Sequence, residues 1–201
     1  MKLYYSPGAC SLSTHIALRE AGFSFDLVKV DLATKKTDGG EDFTRISAKG
    51  QVPALQLDSG ELLTEGAAIV QYIADQKPEK KLAPAVGSMA RYHLAEWLNY
   101  VASEMHKAVG ALFNKKYGDD TKQIMKDALA PKFDYLSAQL KKHPFLMGDT
   151  FSVADGYLFT VLGWTSHVGV DLSKWPVLTD YLAKLGSRPA VQAALKAEGL
   201  A

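Results

Sequence analysis

A chain of 201 residues suffices for one large domain or two modest ones, and 47% hydrophobic with 22% charged residues is ordinary globular composition. A formal net charge of +1 gives no reason to expect nucleic acid or an anionic membrane as partner. No apolar run approaches the ~20 residues of a membrane span, and the opening segment lacks the apolar stretch of a signal peptide. The single cysteine precludes an intrachain disulfide, so a cytoplasmic location is expected. The histidines, at 15, 93, 106, 143 and 167, show neither HxxxH nor HExxH spacing, and no metal is expected.

In chain order, Lys2 to Tyr5 reads as a short strand that Pro7-Gly8-Ala9 breaks. Ser11 to Ala21 follows as a helix with Leu12, Ile16 and Ala21 on an approximate apolar face, and Gly22 is placed to end it. Phe23 to Asp31 alternates at period two and reads as a second strand. The polar stretch Lys35 to Gly40 reads as a loop within a long connection. Ala54 to Leu57 and Glu61 to Leu63 flank Asp58-Ser59-Gly60 as a hairpin, and a helix runs from Glu65 to Asp75.

Composition changes across Gln76 to Ser88, where prolines, Gly87 and lysines form a linker, and strand signals then disappear. The pattern divides the chain into an α/β domain over 1–77, a linker over 78–87 and an all-helical domain over 88–201. In the latter, one long helix spans Ser88 to about Phe113, with Leu94, Leu98, Val101, Met105 and Leu112 at helical spacing. Further helices are expected near 121–142, 153–167, 174–186 and 188–197, with Pro189 suited to a first turn.

Cys10 lies at the mouth of the first helix in a CxxS arrangement with Ser13. A thiol there feels the positive end of the helix dipole, which favours thiolate and a mixed disulfide with a small thiol. A lone cysteine also serves as a small buried hydrophobe. Gln51-Val52-Pro53 precedes the third strand; an isolated X–Pro bond is expected to be trans, whereas a cis bond would present Val52 to an extended peptide. Thr64-Glu65-Gly66 opens a helix whose N–H groups suit a carboxylate while Glu65 suits an ammonium, although acidic residues are common there for dipole reasons. Asn99, Ser103 and His106 fall at i, i+4 and i+7, a polar stripe that faces either solvent or a cleft. Tyr4 and Tyr5 carry hydroxyls at the strand end but suit core packing, as does Trp164. Ser152 and Asp155 match a capping box and are read as structural.

Together the segments KLYYSPGACS, KGQVPALQLDSGELLTEGAAIVQYIAD, EWLNYVASEMHK and FSVADGYLF resemble the bacterial beta class of the glutathione S-transferases across nearly the whole chain. The resemblance implies a thioredoxin-like N-terminal domain followed by an all-α C-terminal domain, a homodimer and glutathione as co-substrate. It implies that the Val52–Pro53 bond is cis, that Val52 pairs with the cysteinyl part of glutathione, and that Glu65 and Gly66 bind its γ-glutamyl end. Lys35 matches the position that pairs with the glycyl carboxylate, and Gln51 and Met105 are counted with the binding positions. Cys10, Ser11 and His106 match the residues around the thiol. Asn99, Ser103 and Glu104 match further contacts, the resemblance implying that Glu104 reaches across the dimer, and an α-helix would turn it about 140° from Asn99 over five residues, in support. Phe113 and Trp164 are the expected wall for an apolar electrophile.

Two departures stand out. Many relatives have serine where this chain has Gly66, and Gly156 occupies the place of the apolar staple residue that would partner Phe151. The implied reaction is conjugation of the glutathione thiolate to apolar electrophiles, a detoxifying transfer. The alternatives are glutathione-dependent thiol–disulfide exchange through a Cys10 mixed disulfide, or non-catalytic ligand binding on the same fold.

Overall fold

The computed structural model describes all 201 residues. The first stretch contains β1 (Lys2–Tyr5), α1 (Ser11–Ala21), β2 (Asp26–Asp31), β3 (Lys36–Thr37), α2 (Phe43–Ile46), β4 (Ala54–Gln56), β5 (Leu62–Thr64) and α3 (Gly66–Asp75). Then come α4 (Met89–Tyr100), a π-helical segment (Val101–His106), α5 (Lys107–Ala111), α6 (Asp119–Asp127), α7 (Ala130–Leu140), α8 (Val153–Gly163), α9 (Pro176–Gly186) and α10 (Pro189–Ala197). No helix is long and apolar enough to cross a membrane. The chain forms two compact units, one of Met1–Leu82 with Arg188–Ala201 and one of Ala83–Ser187.

In the first unit the sheet order is β3-β2-β1-β4-β5, with β1 parallel to β2 and the remaining pairs antiparallel. Leu3 faces Leu55 and Tyr4 faces Ala54 across the β1–β4 ladder. Because side chains alternate along a strand, Leu3 and Tyr4 point to opposite faces, and both are buried. On the Tyr4 side, Val30, Phe43, Val52 and Ala54 complete an apolar cluster. This β-α-β, then β-β-α arrangement is the thioredoxin-like fold. The expected loop at 35–40 contains β3, and the long connection contains α2, whose cap Asp42 accepts the Thr44 N–H at 2.9 Å. A two-residue strand and a single helical turn are too short to leave a periodic signal.

Gly22 ends α1 at φ +75°, a conformation that only glycine adopts freely. The helix is buried nearly all round because it meets β1, α3 and α10. His15 is fully buried, with Nδ1 at 2.9 Å from Glu198 Oε1, and its Nε2 accepts from Arg19 Nε at 3.3 Å. Arginine only donates, so Nδ1 carries the proton and donates to the carboxylate. The second Glu198 oxygen accepts the Gly8 N–H at 2.9 Å, which ties α10 to the loop before Cys10. Arg188 adds a bidentate pair with Glu20, at 2.6 and 3.0 Å. The expected helical domain over 88–201 therefore loses its last helix to the first unit. Long-range partners of this kind leave no mark in local composition.

In the second unit, Ser88 caps α4 by accepting the Arg91 N–H at 3.2 Å. The expected long helix is present, but its middle widens into the π segment. The expected helix over 121–142 is two helices, α6 and α7, with Pro131 in the first turn of α7, where its missing N–H costs nothing. α8 is buried on every side and packs on α4, the π segment, α5 and α9. Its start is the Ser152–Asp155 capping box. Asp155 accepts from the Ser152 N–H and hydroxyl (2.8 and 2.7 Å), the Leu146 N–H (2.8 Å) and the Tyr181 hydroxyl (2.7 Å). Burial pushes its carboxyl up, against the pull of those donors. Phe151 is not left without a partner by Gly156: its ring meets Phe145 edge-on at 6.3 Å.

Asp155→Asn puts an amide N–H against donors that need an acceptor. Urea unfolding followed by circular dichroism should show a loss of about 2–3 kcal/mol.

Candidate active site

The first unit gathers one group of candidates where strand ends and helix starts meet. Cys10 is the residue before α1, partly exposed, and its Sγ–H donates to the Val52 carbonyl at 3.1 Å. The Val52–Pro53 peptide is cis. The Val52 carbonyl has a second lone pair for an extended peptide. Ser13 donates its hydroxyl to the Cys10 carbonyl at 2.7 Å, so the second position of CxxS holds the helix turn beneath the thiol.

Ser11 departs from expectation. It is fully buried, its Oγ accepts the Ser6 N–H at 3.1 Å and its own proton goes to the Ser6 carbonyl at 3.2 Å. A hydroxyl has one proton. Ser11 thus fastens the loop to the helix, and this arrangement argues against it as a donor to a thiol. Tyr4 and Tyr5 are core residues: Tyr4 donates to Gln56 at 3.3 Å, and burial raises the Tyr5 phenol above its ordinary range.

Lys35 adopts φ +56° and donates its ammonium to the Gly50 carbonyl at 2.9 Å, lying along a buried glycine at φ +57°. The lysine is thereby held beside the exposed Gln51, and sequence reasoning had not singled out Gly50. Glu65 precedes α3 with φ +71°, a conformation that is costly for a residue with a Cβ and that in a native structure is usually retained for function. Its carboxylate holds the ammonium of Lys49, and Lys49 also reaches Thr64 Oγ1 at 3.2 Å. A carboxylate occupied by a cation thus sits at the head of a ten-residue helix whose first N–H groups suit an anion. A Cβ added at Gly66 would lie 3.8 Å from Pro53 Cγ and 3.9 Å from Ser13 Oγ, ordinary contact distances, so packing does not demand glycine.

The second unit carries the other group. Asn99 and Ser103 are exposed, and both bond back to their own helix, to Ala95 O at 2.8 Å and Asn99 O at 2.9 Å. The Met105 side chain is fully buried and is a core residue, not a side-chain contact for a ligand. Glu104 pairs with Lys132 on α7. The 140° rotation that supported a contact across the dimer assumed α-helical geometry, which does not hold across the π segment with its i→i+5 bonding.

His106 closes the π segment, half-buried, with Nδ1 at 2.6 Å from the Tyr157 hydroxyl. Its ring meets Trp164 edge-on at 4.9 Å, and Trp164 meets Phe113 at 6.2 Å. Thus the structure brings His106 together with Phe113 and Trp164; Phe113 is half-exposed and Trp164 buried. Burial, aided by Lys107, lowers the His106 imidazolium below the ordinary histidine range. A depressed folded value contributes stability above the unfolded pKa and loses it as pH falls through the folded value. Tyr157 was not anticipated. A tyrosine within the apolar run of α8 is the one signal, because a buried hydroxyl requires a partner.

The family model for the glutathione S-transferase N-terminal domain matches residues 1–75, and that for the C-terminal domain matches residues 100–189. Over 200 residues the chain is 46% identical to glutathione S-transferase GstA of Escherichia coli O157:H7, covering 100% of both chains. A sphingomonad glutathione S-transferase solved with glutathione superposes with TM-score 0.96 at 51% identity, covering 100% of both chains. The beta class glutathione S-transferase of Sphingomonas chungbukensis superposes with TM-score 0.94 at 52% identity, again over 100% of both.

In the free protein, an NMR pH titration of the His106 ring should show a midpoint below the ordinary 6.5.

Proposed function

The chain belongs to the glutathione S-transferase family, and from that premise we propose that it joins the glutathione thiolate to apolar electrophiles. The arrangement at Glu65 supports this reading most strongly. A strained residue presents a carboxylate to an ammonium at the N-terminus of a helix, the complement of the zwitterionic γ-glutamyl end of glutathione. Lys49 stands where that ammonium would bind. Val52, after the exposed Gln51 and before cis Pro53, would pair with the cysteinyl backbone, and Lys35 with the glycyl carboxylate.

A free thiol has a pKa of about 8.5, so only a few per cent is ionised at neutral pH. Donors aimed at the sulfur favour the charged form. We assign that role to Cys10, once its Sγ–H turns from the Val52 carbonyl, and, on the family resemblance, to His106, with Ser11 holding the loop. In the reaction the thiol proton leaves to solvent and the thiolate attacks a carbon bearing a halide. The carbon–sulfur bond forms as the carbon–halogen bond breaks, and halide departs. Phe113 and Trp164 supply aromatic surface for the electrophile.

The wider setting is a cytoplasmic, detoxifying homodimer. The exposed Met89 and Tyr92 on α4 support association through that helix. Asn99, Ser103 and Glu104 belong to the same reading as peripheral contacts.

A second reading draws on Cys10 being partly exposed, with a hydroxyl three residues on. Its thiolate would attack a mixed disulfide of glutathione and release the other thiol. A second glutathione would then regenerate Cys10 and leave as glutathione disulfide.

With saturating glutathione and an activated chloronitrobenzene, conjugation should exceed the uncatalysed rate; equality with it would sink the primary reading. Intact-mass spectrometry after glutathione disulfide treatment should show an adduct of a single glutathione that Cys10→Ala abolishes. Gly66→Ser should lower the KM for glutathione several-fold, because a hydroxyl fits beside the γ-glutamyl carboxylate without displacing Pro53.

A further inference from the structure

The hydrogen bond between His106 and Tyr157 carries more than packing. The two residues lie 51 positions apart, on the π segment and on α8. Tyr157 is only 4% exposed and sits one turn into a helix whose start is locked by the Ser152–Asp155 box. Its ring crosses the imidazole at 82°, and Trp164 braces the same imidazole at 69°. On the next turn, Gly110 lies against the ring: a Cβ there would stand 3.5 Å from His106 Cδ2, an ordinary contact distance. The imidazole is therefore held by Tyr157 of α8 and by Trp164 just after it, and the start of α8 is fixed by its capping box.

The direction of the bond follows from elementary chemistry. A phenol is a stronger donor than a neutral imidazole N–H, and an imidazole nitrogen is a stronger acceptor than a phenol oxygen. The 2.6 Å separation is short for an N–H donor to oxygen, roughly 2.7–3.2 Å, which agrees with the phenol as donor. With Nδ1 accepting, the neutral ring must carry its proton on Nε2. Burial and Lys107, which disfavour the imidazolium, agree with a neutral ring at pH 7.

We infer that Tyr157 is a positioning residue, donating its phenolic proton to His106 Nδ1 so that Nε2–H is fixed as the ring's donor for conjugation. The inference rests on the conjugation reading for its final step. The assignment of the proton stands independently of that step.

The test uses the full chain labelled with ¹⁵N-histidine. Long-range proton–nitrogen spectra at neutral pH should place His106 Nδ1 at the unprotonated position and Nε2 at the protonated one. Tyr157→Phe keeps the ring and removes only the hydroxyl. In that variant both resonances should move toward the average of a tautomer mixture. In the same variant, kcat for conjugation should fall about fivefold while KM for glutathione changes by less than about twofold. A wild-type protein with Nδ1 protonated overturns the assignment, even if the variant fails to fold. A folded Tyr157→Phe with unchanged kcat overturns the functional role. Wild-type protein that shows the Nε2–H tautomer but conjugates nothing supports the proton assignment and overturns the conjugation reading instead.

Discussion

The thiol-to-carbonyl contact between Cys10 and Val52 is the constraint on which the first unit's chemistry depends. It joins the head of α1 to the residue before the cis proline, two places that are 42 residues apart. Other hydrogen bonds fix the same small region from different directions. Ser11 closes on Ser6, Ser13 closes on the Cys10 carbonyl, and Glu198 reaches from beyond α10 to the Gly8 N–H. With these bonds in place the loop between β1 and α1 has little freedom left, and the thiol's position follows from the fold. A site held in this way loses little conformational entropy when a peptide binds beside it.

The second unit achieves the same end by burial. α8 is apolar on all sides and acts as the unit's spine, with the Asp155 carboxylate collecting donors from a loop, from its own cap and from α9. Tyr157 lies in the first turns of that spine. The half-buried His106 is thus anchored to the buried central helix of its unit, at the end of the π segment. π-helical turns of this kind often mark functional positions, and this one ends on the residue whose chemistry matters.

Much of the fold was legible in the sequence. Strand β1 and helix α1 have the expected bounds, Gly22 ends the helix, and the hairpin lies around Asp58-Ser59-Gly60. Ser152 and Asp155 form their box, and the apolar stripe from Leu94 to Leu112 is buried. These features depend on neighbours in sequence, which periodicity and capping chemistry report. β3, α2 and the π segment were not legible, being too short or too dependent on backbone bonding to alter the residue pattern. Nor did any local signal disclose that α10 packs on α1 through His15 and Glu198, or that Tyr157 meets His106. At the site, residue types such as Cys10, Glu65 and His106 drew notice by their chemistry. The commitment of Ser11's proton to Ser6, the burial of Met105 and the strained backbone at Glu65 required coordinates.

Conjugation by this protein depends on acidification of the thiol of bound glutathione. Ultraviolet absorbance of the thiolate, followed as pH is raised with protein in excess over glutathione, measures that directly. With conjugation as proposed, the midpoint should lie at least about one unit below the roughly 8.5 of a free thiol. A midpoint equal to or above that of free glutathione would contradict it.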